Sequence, residues 1–234
     1  MNNSKIAIFG FPRSATKLLA NIYEQHGYTN LGEFFDTFTN DLIFTDIPVA
    51  SRKPISVQAT LRNIRKRAPQ RYIYDNTLEC QLRLEKFQQI STLRTTVTVW
   101  PENFELFPEL MDILHDRYFL CTRRQNIFDQ LISRALTAIH LNYNAEVKST
   151  PVIIPIPLFN FFFFKLKRTE RLQDYFVSNN RGQLIDFDAL ITGNANVGFT
   201  YSVNSDDEHP DLYSLVLNLD NLKKQFTYLV DTYN

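Results

Sequence analysis

Short apolar runs and helical stripes alternate along most of the chain. Lys5-Ile-Ala-Ile-Phe-Gly-Phe11 is an apolar run closed by Gly10 and Pro12, the pattern of a buried strand. Leu18, Leu19, Ile22 and Tyr23 then recur at helical spacing, and Gly27 supplies a stop. Residues 95–100 are rich in β-branched side chains and end at Pro101, after which 104–115 return to a helical pattern. Residues 118–122 form the next strand pattern, and a long helical stripe runs from 126 to about 141. A late strand is predicted over 184–187 and a closing helix over 219–233. This alternation predicts an α/β fold, a mostly parallel central sheet flanked by helices in three layers. Neither a repeat nor a linker rich in Gly, Ser or Pro divides the order, so one domain over 1–234 is expected.

Composition narrows the function classes. Hydrophobic residues at 44% and charged ones at 21% exclude a disordered chain. The 25 basic and 25 acidic residues cancel, which argues against a protein that coats nucleic acid or an anionic membrane. The balance is local in origin: residues 18–51 hold five acids and no base, whereas 47–74 hold seven basic residues and no acid. That basic run reads as a solvated helix face, or as a wall or lid for an anionic acceptor. Cys80 and Cys121 are too few for a disulfide framework or a cysteine zinc site, and His26, His115, His140 and His209 lack metal-ligand spacing. No metal is expected.

The first residues carry no signal-peptide pattern. The uncharged stretch 149–164 has 16 residues and three prolines, short of the roughly 20 apolar residues of a membrane helix. A cytoplasmic protein without membrane or nucleic-acid partners is the expectation. The aromatic cluster Phe159-Asn-Phe-Phe-Phe-Phe164, leading into Lys165, Lys167, Arg168 and Arg171, reads as the core-facing start of a helix.

Chemistry concentrates after the first strand, where Gly10-Phe-Pro-Arg-Ser-Ala-Thr-Lys-Leu-Leu19 has the order strand, tight loop, helix. Loop amides and a helix N-terminus form a ready anion site. Arg13, Ser14, Thr16 and Lys17 add donors suited to phosphate oxygens. A Pro-Arg-Ser helix cap would account for the loop on its own. The triphosphate-binding pattern G-x-x-x-x-G-K-[ST] is not met: Ala15, Thr16 and Lys17 stand where its Gly, Lys and hydroxyl belong. A kinase or GTPase acting on Mg-ATP or Mg-GTP is therefore disfavoured.

The loop resembles the phosphosulfate-binding loop of the PAPS-dependent sulfotransferases (PAPS, 3′-phosphoadenosine 5′-phosphosulfate), roughly P-[RK]-S-G-T-x-x-L. Pro12, Arg13, Ser14, Thr16 and Leu19 match, and Ala15 replaces the Gly. A second match is Thr122-Arg-Arg-Gln-Asn-Ile-Phe-Asp-Gln-Leu-Ile-Ser133. In that family an Arg ending a strand and a Ser on the next helix clamp the 3′-phosphate, which implies Arg124 with Ser133, and Arg123 as the alternative. Fainter likenesses are Leu184-Ile-Asp-Phe-Asp-Ala-Leu190 and Thr96-Val-Thr-Val-Trp-Pro101, the latter lacking the Lys or His that many members carry there.

The resemblance implies a P-loop-like fold with PAPS as co-substrate and PAP as product. Pro12, Arg13, Ser14, Ala15, Thr16, Lys17, Arg124 and Ser133 would bind it. Sulfuryl transfer to a hydroxyl or amine of a small molecule or glycan would proceed in line, without a metal. Arg13 and Lys17 would stabilise the leaving and transferring oxygens. Glu33, after a second strand, would be the general base, with His26 the lesser alternative; a helix cap at Glu33 is the competing reading. The rival functions are a P-loop kinase-like phosphotransferase and a non-catalytic nucleotide-binding protein of the same fold. The acceptor pocket would come from 34–75 and 142–180.

Overall fold

The computed structural model describes residues 5–35, 84–85, 87–90, 94–106, 109–140, 151–203 and 211–233. Within them β1 (Lys5–Gly10), α1 (Thr16–Gln25), β2 (Thr29–Asn30), β3 (Thr95–Val99), α2 (Pro101–Leu106) and α3 (Leu110–Ile113) come in order. β4 (Tyr118–Arg123), α4 (Ile127–His140), α5 (Ile156–Ser178), β5 (Gly182–Asp186) and α6 (Phe187–Ile191) follow. A 3-10 turn (Leu212–Leu215) and α7 (Leu219–Tyr233) close the sequence of elements. Cys80, the basic run of 47–74, and most of the 34–75 stretch assigned to an acceptor pocket lie outside the described residues.

The chain gathers into two compact units, each drawn from separated stretches. The described part of the first comprises 5–35, the residues of 84–125, and 168–203; that of the second comprises 126–140, 151–167 and 211–233. α5 contributes its first half to the second unit and its second half to the first.

The first unit holds the sheet, with strand order β2-β3-β1-β4-β5 and every neighbouring pair parallel. β1 is central, and Ile6, Ala7, Ile8 and Phe9 are all buried, as both faces of a parallel sheet require. Alternate residues serve opposite layers. Ile6, Ile8, Leu120 and Ile185 pack with Leu19, Ile22 and Tyr23 of α1 and Leu190 of α6. Ala7, Phe9, Val97, Val99, Phe119 and Cys121 pack on the other side with Leu110, Leu114 and Phe176 of α5. The Phe119 and Phe176 rings stack at 3.8 Å and Phe9 meets Phe176 edge-on at 5.5 Å. Helix, sheet and helix thus make three layers, a Rossmannoid parallel α/β arrangement.

Several boundaries differ from those predicted, each for a local reason. β5 starts two residues earlier, at Gly182, because a side chain there would press within 2.9 Å of the Phe119 Cβ; the glycine lets β5 pair with β4. The helix read over 104–115 is two helices, α2 beginning at Pro101 and α3 at Leu110, and Pro108 falls between them. Proline at a first helical position, as at Pro101, costs no hydrogen bond.

The amino-end edge of the sheet is tied by buried Arg117. Its guanidinium donates to the carbonyls of Ile6 and Thr95 and to Thr95 Oγ1, at 3.1, 3.3 and 3.0 Å, and lies over the Phe87 ring. Burial pulls its pKa down to about 10. Cys121 is a buried thiol, and burial pushes it up to about 12, so the folded chain holds it neutral.

In the second unit, Phe128 of α4 packs against Phe159 of α5 and Phe226 of α7, at 5.9 and 5.3 Å. Phe159, Phe162 and Phe163 are buried, so most of the aromatic cluster is core, while Phe164 is 45% exposed. The Asn218 side chain bonds both the N–H and the carbonyl of Ile154, at 3.0 and 2.8 Å, fixing the chain as it enters α5. Among the described residues no helix is long and apolar enough to cross a membrane.

Candidate functional site

In an open parallel sheet the carboxyl ends of strands face a crevice where neighbouring connections leave in opposite directions. β1 and β4 are adjacent; the chain after β1 goes to β2 at one edge, and the chain after β4 goes to β5 at the other. The switch point therefore lies between Gly10 and Thr122, which are register partners. Residues 11–15 and Arg124 leave the sheet at that point.

The loop is shaped by two residues in the left-handed region, Arg13 at φ 72° and Ala15 at φ 59°. Ala15 is the N-cap of α1, with ψ 29°, no side chain caps the helix, and its first turn carries no acid. Among the described residues, then, no side chain caps the leading amides of α1, whose positive end suits an anion. Arg13 and Lys17 are exposed at either end of the turn, and Thr16 is buried. Successive amides in such a turn, beside two cations, form a concavity for an anion.

Ser14 has a different place from the one its type suggests. It is fully buried, and its Oγ donates to the Phe11 carbonyl at 2.6 Å. Thr122 Oγ1 lies 2.7 Å from it and supplies the second hydrogen bond. In this conformation the Ser14 hydroxyl shapes the loop and its proton is committed to the backbone. Gly10 makes room for the pair: a Cβ there would stand 2.6 Å from Ser14 Oγ and overlap the Thr122 hydroxyl.

The left-handed Ala15 carries a cost that glycine would not. A non-glycine residue pays about 1–2 kcal/mol there, against about 0.5–1 kcal/mol of extra chain entropy for glycine. Ala15→Gly is expected to raise the unfolding free energy by about 0.5 kcal/mol, read as a higher urea midpoint at unchanged m-value. A lower midpoint would mean that the Ala15 methyl, which packs beside the α1 core, outweighs the strain.

Beyond β4, the two arginines separate. Arg123 Nε donates to Gln173 Oε1 at 2.9 Å, and its Nη2 donates to the Glu170 carbonyl at 3.1 Å and to Asp174 Oδ1 at 2.8 Å. Its guanidinium is bound to the second half of α5. Arg124 instead lies over the Phe187 ring, 4.7 Å from the centroid. The register explains this, since Arg123 pairs with Asp186, and Arg124 and Phe187 are the next residues. Asp186 caps α6 by accepting from the Ala189 amide at 2.9 Å and also accepts from Gln125 Nε2 at 2.7 Å. The Ala189 hydrogen bond foremost holds its carboxyl below the usual range. Ser133 belongs to the second unit, where it is buried at the seventh position of α4, and its carbonyl accepts from Thr137 Oγ1.

Glu33 reaches the carboxyl edge of the sheet. Pairing with β3 continues past β2, the Leu31 amide donating to Thr96 and the Thr98 amide to Gly32, both at 2.8 Å. Glu33 follows Gly32, half-buried, with Phe34 and Phe35 fully buried behind it. Asn103 pins this turn, donating to the Phe35 carbonyl at 3.2 Å and accepting from the Trp100 amide at 2.6 Å. β3 separates β2 from β1, so Glu33 is about 10 Å across the edge from the loop. His26 is elsewhere: it ends α1 and stacks on Phe199 at 4.1 Å.

Three contributors were not singled out from the sequence. Thr122 carries no signal in the sequence beyond its place at the end of a strand pattern. Gln173 and Asn103 are buried polar residues, and Gln173 was detectable as a polar side chain in the stripe Leu166, Thr169, Gln173, Phe176 that faces the core. Among the described residues no group of His, Cys, Asp and Glu could hold a metal ion.

No family model matches the chain, and no curated protein matches it significantly. Fold and loop together define a class, a Rossmannoid parallel α/β protein of an architecture compatible with nucleotide binding and group transfer in general.

Proposed function

We propose that the chain is a cytoplasmic PAPS-dependent sulfotransferase acting on a hydroxyl or amine of a small molecule or glycan. The observation that carries this reading is the left-handed turn Arg13–Ala15 opening α1 at the switch point, one strand from Arg124. A turn with two cations suits a group of modest charge such as a phosphosulfate, and the missing G-K-[ST] disfavours Mg-ATP. An arginine past the neighbouring strand suits a second phosphate on the same nucleotide.

PAPS would supply the activated sulfuryl group. The chain would supply position and charge. The 11–15 loop and the α1 amides would hold the 5′ end, with Arg13 and Lys17 neutralising oxygens as the bond to the leaving phosphate lengthens. Arg124 would hold the 3′-phosphate. Glu33 would take the acceptor proton as the new bond to sulfur forms.

Calorimetry with adenosine 3′,5′-bisphosphate against Mg-ATP tests the reading. Tighter binding of the bisphosphate is expected, and a preference for Mg-ATP would overturn it. Bisphosphate binding without turnover over a broad acceptor panel would shift the reading to a non-catalytic nucleotide-binding protein.

A further inference from the structure

A continuous hydrogen-bonded path joins the loop to the arginine-bearing end of β4. Ser14 Oγ donates to the Phe11 carbonyl and meets Thr122 Oγ1. The Thr122 carbonyl in turn accepts from Gln173 Nε2 at 2.8 Å, and Gln173 Oε1 accepts from Arg123 Nε. Gln173 and Thr122 are both about 1% exposed, so these bonds are sheltered from water. Gly10 opposite Thr122 lacks the Cβ that would fill the gap, so the close approach of loop and strand is built into the sequence. Arg124 follows Thr122 by two positions, with only Arg123 between them.

From these contacts we infer that Thr122 is a positioning residue that fixes the spacing between the loop and Arg124. It acts through its neighbours and makes no ligand contact of its own. The inference rests on the reading that the loop and Arg124 hold two ends of one nucleotide. A ligand bridging both ends gains from a fixed spacing, whereas a ligand held at one end gains nothing from it. The hydroxyl is the operative group, because it reaches across to Ser14.

The test is calorimetry with adenosine 3′,5′-bisphosphate and adenosine 5′-phosphate on the full chain. Thr122→Val keeps the side-chain shape and removes the hydroxyl. It is expected to weaken the bisphosphate about fivefold to tenfold, the worth of about one buried hydrogen bond, and the monophosphate less than about twofold. Thr122→Ser, which keeps the hydroxyl, is expected to recover most of the loss. Should Thr122→Val not fold, Thr122→Ala removes the same hydroxyl without touching the loop and is expected to show the same selectivity. Equal losses for both ligands, or no loss, would overturn the inference while leaving the proposed function standing. Failure of the unsubstituted chain to bind the bisphosphate would instead remove the proposed function, and this inference with it.

Discussion

Glu33→Gln is expected to lower kcat by about a hundredfold or more, the usual worth of a general base. Glutamine keeps the size and the accepting oxygen of glutamate but cannot take a proton. The affinity for adenosine 3′,5′-bisphosphate is expected to stay within about twofold, because the side chain is about two strand spacings from the loop. A structural role makes a different prediction. Glu33 precedes Phe34 and Phe35, which anchor the turn in the core, and disturbing that turn would lower stability and turnover together. The acceptor's own acidity separates the two. With an acidic phenol the proton is already loosely held, so a lost base matters less and the deficit shrinks. A deficit equal for alcohols and acidic phenols, or unchanged turnover with a true acceptor, would take Glu33 out of the mechanism.

Much of the sheet was legible because buried parallel strands are written as unbroken apolar or β-branched runs. β1, β3 and β4 lie within one residue of their predicted limits for that reason. α5 was harder. Its start is marked only by the aromatic cluster, Pro155 and Pro157 sit at its beginning, and Thr169 and Gln173 interrupt the apolar stripe that would reveal its length. The loop was legible as a tight turn between Gly10 and α1, but its conformation was not. Left-handed backbone normally announces itself through glycine, and here Arg13 and Ala15 adopt it. The contacts of Ser14 were hidden too, since nothing in the sequence shows that its hydroxyl meets Thr122 and the Phe11 carbonyl. The different surroundings of Arg123 and Arg124 were not legible either, because they follow from the pleat at the end of β4, which turns neighbouring residues to opposite layers.

That pleat sets the second large effect. Arg124→Ala is expected to weaken adenosine 3′,5′-bisphosphate about thirtyfold, since hydrogen bonds to a charged group are worth about 1.5–3 kcal/mol and about 1.4 kcal/mol is tenfold. Adenosine 5′-phosphate lacks the 3′ group and is expected to change by less than about twofold. Stacking on Phe187 gives Arg124 a defined orientation. Arg123→Ala provides the contrast, because its guanidinium already serves Gln173, Asp174 and the Glu170 carbonyl. Losing it leaves Gln173 Oε1 without a buried partner and is expected to lower the melting temperature, with any loss of affinity shared by both ligands. A selective loss in Arg123→Ala, with Arg124→Ala unaffected or equally weakened toward both nucleotides, would move the 3′-phosphate to the other arginine. The face of β4 turned toward α5 would then be the ligand side of this edge.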